Sequence, residues 1–183
     1  MRKINDWLLH EIKKDADSIS EMPLHWMEIM RADFSPIITR ALRFIIEENG
    51  TFLLCADSRR AWFKTYILHK LNSLDEDRPY ISIYDFDASL SRLLSSDEMN
   101  NDLIKNTLDI SYNKYAIWYI GDADTKMAKF ALEFKESFLW IFDKKVERAI
   151  MLKNDKNADI KLIQLYRIFE EAIFVGISGD YEF

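Results

Sequence analysis

The sequence predicts a three-layer α/β protein built on a parallel sheet, and three observations lead there. Five short apolar runs, at 51–56, 80–84, 115–120, 138–142 and 149–152, have the near-continuous hydrophobicity of strands covered on both faces. Between most of them lie segments whose apolar residues recur at helical spacing, and helices alternating with buried strands imply parallel pairing through right-handed crossovers. Composition supplies the core: 49 % of the 183 residues are apolar, ample for one domain, while the length is too short for two ordinary ones.

At the start, Ile4, Trp7, Leu8 and Ile12 fall on one helical face, and the pattern weakens through Ile19 and Met22 to Pro23, which predicts a long or kinked N-terminal helix. Ser35-Pro36 reads as an N-cap with proline at the first helical position, Ile38, Ala41, Leu42 and Ile45 as the buried stripe behind it, and Asn49-Gly50 as the stop. Residues 1–49 thus form a helical extension ahead of the sheet, within a single domain spanning 1–183.

Thr51 to Ala56 is the first strand, and Ser58 is expected to cap a helix whose Trp62, Phe63, Tyr66, Ile67 and Leu71 make a broad apolar side. A polar link, Asp75 to Pro79, leads to the second strand, Tyr80 to Tyr84. Ser95 to Glu98 matches a capping box for a helix reaching Leu108. The third strand, Tyr115 to Ile120, is ended by Gly121 and followed by a helix over Met127, Phe130, Ala131 and Phe134. Phe138 to Phe142 and Ala149 to Leu152 are strands four and five, with little room for a helix between them. A final helix starts at Asn157 or Asp159 and runs to about Gly176.

Several function classes fall away on charge and composition. A net charge of -6 argues against direct binding of nucleic acid, which needs a basic face to neutralise phosphates. Cys55 is the only cysteine and lies in a predicted buried strand, so there is no disulfide framework and a reducing cytoplasm is the expected compartment. Met1 to Glu11 is charged and amphipathic, without the apolar stretch of a signal peptide or membrane span.

The first strand-to-helix turn is where a protein of this class usually holds a phosphate. Here it reads Ala56-Asp57-Ser58-Arg59-Arg60, with no glycine, and no G-x-G-x-x-G or Walker pattern occurs elsewhere. A helix N-terminus beside Arg59 and Arg60 attracts anions, but Asp57 repels them, and the third turn adds Asp122 and Asp124. A capped helix with solvated arginines is the simpler expectation. His10, His25 and His69 fall on separate predicted helices and share no ligand spacing with Cys55. Asp85 and Asp87 close the second strand as a pair able to hold Mg²⁺, although turn formation explains them equally. No cofactor or metal is expected.

Two features suggest contact with other proteins. Five Trp, eight Tyr and twelve Phe form either an aromatic-rich core or a core plus an interface. The last helix carries one stripe at Leu162, Leu165, Tyr166, Phe169, Ala172 and Ile173, and further apolar side chains at Ile163, Ile168, Phe174 and Val175, so it is buried on more than one side. One side packs on the sheet; the other meets a second subunit or more of the same domain. With Trp7 and Leu8 of the first helix, Ile168 and Phe174 are the candidate oligomer contacts.

Four segments, in order along the chain, carry a family resemblance. Ala56 to Leu68 (ADSRRAWFKTYIL), Arg78 to Ser89 (RPYISIYDFDAS), Ser137 to Phe142 (SFLWIF) and the closing helix from Lys161 through Ala172 resemble the HobA family of bacterial DnaA-binding proteins. The resemblance implies a fold like that of sugar isomerase domains, with flavodoxin-like strand order, shared with the DnaA-binding protein DiaA. It implies a homotetramer that engages the N-terminal domain of several copies of DnaA and aids their assembly at the origin. Sugar isomerase domains hold phosphate with small polar residues at turns where this chain offers Asp57, Asp122 and Asp124, so that ligand site is expected to be disabled.

The expected function is therefore a non-enzymatic scaffold. The alternatives are a phosphosugar-binding or isomerising enzyme and a metal-dependent enzyme around Asp85 and Asp87. Candidate DnaA contacts are Arg60 and Trp62 near the first turn and Tyr181 and Phe183 after the last helix.

Overall fold

A computed structural model describes residues 2–18, 25–73, 79–86, 88–95, 101–179 and 181–182. Five parallel strands, β1 (Thr51–Ala56), β2 (Ile83–Asp85), β3 (Tyr115–Asp122), β4 (Phe138–Phe142) and β5 (Ala149–Leu152), form one sheet in the order β2-β1-β3-β4-β5. Thr51 pairs with Tyr115 and Ala56 with Ile120, so β1 and β3 run side by side at the sheet centre. That order makes the carboxyl ends of β1 and β3 the topological switch point, where crossovers leave toward opposite faces and open a crevice.

Alternation along the strands divides the core in two. Phe52, Leu54, Trp118, Ile120, Trp140 and Phe142 face α1 (Ile4–Ser18), α2 (His25–Ile46), α3 (Ala61–Leu71) and α7 (Ala158–Ile177). Leu53, Cys55, Ile117, Tyr119, Leu139 and Ile141 face α4 (Ala88–Ser95), α5 (Asn101–Ser111) and α6 (Lys126–Leu132). Most of the aromatic surplus lies inside: Trp118, Trp140, Phe138 and Phe169 are fully buried, with ring centroids 4.7–5.5 Å apart between the closest pairs.

The first 49 residues are integral to this core. Ile4, Leu8, Met27, Phe34, Ile38 and Leu42 are buried in the same cluster as the sheet, and Arg2–Lys3 pairs in parallel with Tyr181–Glu182. The expected helix start at Ser35-Pro36 is incorrect. α2 begins at His25 and carries Pro36 in its interior. The upstream turns bury Met27 and Phe34, and that packing outweighs one missing backbone hydrogen bond. Ser35 is itself buried and donates its hydroxyl to Asn5 Oδ1 on α1, a tertiary contact rather than a cap. The helix stops as expected: Asn49 adopts φ 50°, and Gly50 lies so close to the Phe44 ring that a side chain there would collide with it.

Other boundaries move for identifiable reasons. The second strand is Ile83–Asp85 rather than 80–84, because both backbone groups of Ile81 are taken by the Asn72 side chain, at 2.9 and 3.0 Å. α4 is an element that the sequence reading missed, and the capping box from Ser95 to Glu98 runs into residues outside those described. Gly121 does not end β3, which continues to Asp122. The final helix has Asn157 at its N-cap position, within the expected start.

Candidate functional site

The switch point holds a buried ionic cluster where a ligand is usual. Asp57, directly after β1, is anchored by its amide, which donates to the Ile120 carbonyl of β3 at 3.1 Å. Its side chain caps the 3₁₀ turn Ser58–Arg60 by accepting from the Arg60 amide at 3.1 Å, so Asp57 and not Ser58 is the cap. The same carboxylate accepts from the Asp122 amide at 2.9 Å and from the Arg60 guanidinium at 2.5 Å.

Arg60 is therefore not a solvated arginine. It is 4 % exposed, pairs also with Asp122 Oδ1 at 2.9 Å, reaches Asn154 Oδ1 at 3.3 Å and lies 3.8 Å from the centroid of the Phe142 ring. Phe142 ends β4 and Asn154 follows β5, so Arg60 ties the carboxyl ends of three strands and the loop after a fourth. Gly121 makes this approach possible: a Cβ there would stand 2.6 Å from Asp57 Oδ2 and 2.5 Å from Tyr119 Oη. Tyr119 Oη donates to the Asp122 carbonyl at 2.9 Å and lies 2.8 Å from the Thr125 hydroxyl, and burial raises its ionisation well above the usual range. Thr125 in turn caps α6.

The remaining candidate charges are dispersed. Asp124, grouped with Asp57 and Asp122 in the sequence, is 81 % exposed and bonds Lys144 Nζ at 2.6 Å, a contact that holds its carboxyl below the ordinary range. Asp85 is engaged by Lys64 Nζ at 2.6 Å, and Asp87 lies outside the described residues. His10, His25 and His69 sit on α1, α2 and α3. Among the described residues, no three His, Cys, Asp or Glu side chains come together as a metal set.

Of the candidate protein contacts, Trp62 is on the surface, 41 % exposed at the start of α3 and braced 5.4 Å from the Phe63 ring. Arg60 beside it is withdrawn into the ionic cluster and offers no surface. Leu8 and Ile168 are likewise buried within the chain, because α7 is packed between the sheet and the N-terminal helices. The two-sided apolarity of α7 is thus used largely within the chain. Trp7 and Phe174 are half-buried and line one groove of about 620 Å³ with Pro79, Val175 and Ile177. Tyr181 belongs to the terminal strand pair, and Phe183 lies outside the described residues.

Comparison with known proteins decides among families. The family model described as "HobA: DNA replication regulator" matches residues 1–183. The chain belongs to the HobA family. A curated relative, DNA replication regulator protein HobA of Helicobacter pylori, is 32 % identical over 177 residues, covering 95 % of each chain. The same fold occurs in the crystal structure of a HobA-DnaA (domain I-II) complex from Helicobacter pylori, with TM-score 0.77, 29 % identity and full coverage of both chains. A crystal structure of Helicobacter pylori HobA matches with TM-score 0.73 and 29 % identity over 97 % of this chain and 98 % of that one. In this HobA-family chain the switch point is thus occupied by its own side chains. The sequence places Asp57 correctly in the turn but does not show that Arg60 folds back onto it, because the groups that hold the guanidinium there, Asp122 and Asn154, lie 62 and 94 positions further along.

Proposed function

We propose that this chain regulates the initiation of chromosomal replication by binding the N-terminal region of DnaA, without catalysing a reaction. Family membership over residues 1–183 carries the reading, supported by the fold shared with a HobA chain crystallised with DnaA domains I–II. The filled switch point agrees with it: Arg60 and Asp57 satisfy each other where a substrate phosphate would otherwise bind. No described helix is long and apolar enough to cross a membrane, which fits action in the cytoplasm alongside DnaA.

The protein acts as a homotetrameric scaffold in this reading. When each subunit holds one DnaA, the copies are gathered at high effective concentration relative to one another, and assembly gains strength with no new contact between DnaA molecules. Trp62 is the accessible aromatic anchor for DnaA, with Tyr181 and Phe183 as further candidates. Trp7 and Phe174 are the subunit-contact candidates that retain surface. Sedimentation of the purified protein with DnaA domain I–II tests the proposal: a tetramer carrying one DnaA fragment per subunit is expected. A monomer, or a tetramer that sediments free of DnaA at micromolar concentrations, refutes it.

A further inference from the structure

Asp57 lies in the crevice where a sheet of this order receives its ligand, and its carboxylate collects the contacts that such a crevice gives to an oxyanion. Two amides converge on it, from Arg60 at 3.1 Å and Asp122 at 2.9 Å, and the Arg60 guanidinium meets it at 2.5 Å. The guanidinium is more than nine-tenths buried and is held in place independently by Asp122 at 2.9 Å, Asn154 at 3.3 Å and the Phe142 ring. Gly121 keeps the space open that the carboxylate fills. Capping a helix needs far less: a single Thr125 hydroxyl, 3.0 Å from the Ala128 amide, serves α6.

We propose that Asp57 is the internal occupant of an oxyanion site, and that the chain without this carboxylate takes a small tetrahedral oxyanion of the phosphate class in its place. The anion then sits between the Arg60 guanidinium and the amides of Arg60 and Asp122. Asp122 Oδ1, on the same guanidinium, opposes it and weakens the binding. In the native chain Asp57 excludes phosphate compounds from the switch point and fixes the turn before Trp62 with no ligand present. The inference goes beyond DnaA binding and does not rest on it.

The test uses full-length Asp57→Ala and Asp57→Gly chains, titrated with inorganic phosphate against chloride at matched ionic strength. Binding is read by ³¹P line broadening and by Tm. Expected is saturable binding to both variants, with Tm rising about 3–6 °C at about ten times Kd, and no response from the native chain. Adding Arg60→Gln to Asp57→Ala weakens binding at least about tenfold, since the charge-assisted contact is lost. Phosphate also stabilises folded chains by exclusion from their surface, so a variant that unfolds in chloride supports the proposal when phosphate refolds it saturably and fails to refold the chain that also carries Arg60→Gln, and refolding of both chains alike overturns it. Absence of saturable binding, a variant that stays unfolded in phosphate, an equal response from the native chain, or binding that survives loss of the guanidinium overturns it.

Discussion

Replacing Arg60 by alanine tests the switch-point geometry most directly. The guanidinium is 4 % exposed and the Asp57 side chain 9 %, so the substitution leaves a buried carboxylate with no cation beside it. Removing one partner of a buried pair costs about 3–5 kcal/mol. Two observations move this case to the lower end. Asp57 retains the amides of residues 60 and 122 at 3.1 and 2.9 Å, and Asp122 is 47 % exposed and rehydrates. Loss of the guanidinium from the Phe142 face adds about 1 kcal/mol. The expected destabilisation is about 3–4 kcal/mol, a fall in Tm of about 6–16 °C for a chain of this size. Urea unfolding at fixed protein concentration measures it, since the proposed self-association would shift stability by mass action. A double-mutant cycle with Asp57→Ala should give a coupling energy of about 2 kcal/mol, little changed in about 1 M salt because the pair is shielded from solvent ions. The exposed Lys144–Asp124 pair, by contrast, should weaken with salt. A loss under about 1 kcal/mol with coupling near zero would show that Arg60 and Asp57 are not a mutually dependent buried unit.

Gly121→Ala places a methyl group 2.6 Å from Asp57 Oδ2 and should cost about 1–3 kcal/mol in a urea melt; native-like stability contradicts the close approach. Pro36→Ala restores an amide facing the Ala32 carbonyl within α2 and should stabilise by about 1–2 kcal/mol, the helix gain exceeding the added freedom of the unfolded chain. A lowered urea midpoint counts against this. Trp62→Ala should weaken DnaA domain I–II binding by about 2 kcal/mol or more, roughly 30-fold in Kd, while leaving the melt unchanged, and unaltered affinity removes Trp62 from the docking surface. Burial pushes the Cys55 thiol and the Tyr115 and Tyr119 phenols up. Their unfolded counterparts therefore lose protons first as pH rises, so the stability these three groups contribute is full below about pH 8 and declines above it. Cys55→Ala should remove the part of that decline below about pH 10, as chemical melts across the range will show.

How far the sequence could be read depended on whether an element is determined by its own residues. β1, β4 and β5 have the predicted limits, since each is a continuous apolar run bounded by turn residues. α7 starts and ends near its predicted limits for the same local reason. The second strand shifted because Asn72, outside the run, captures Ile81. Ser35-Pro36 has the local chemistry of a helix start, yet Met27 and Phe34 upstream are buried and carry the helix through it. α4 was missed because Ala88–Ser95 has three serines in eight residues and holds its place by packing Leu94 into the core.

By itself the sequence determined the layered α/β class, the turn that lacks glycine and, through four ordered segments, the family. Those are local patterns of apolar period and residue identity, readable without knowing which segments meet. Only the tertiary structure decided that Arg60 is buried rather than offered to a partner, that Leu8 and Ile168 face inward, and that the Asp57 carboxylate is paired with Arg60. Each of these depends on which side chain stands opposite. The opposing groups, Asp122, Phe142 and Asn154, come from other strand ends that the sheet order alone brings together.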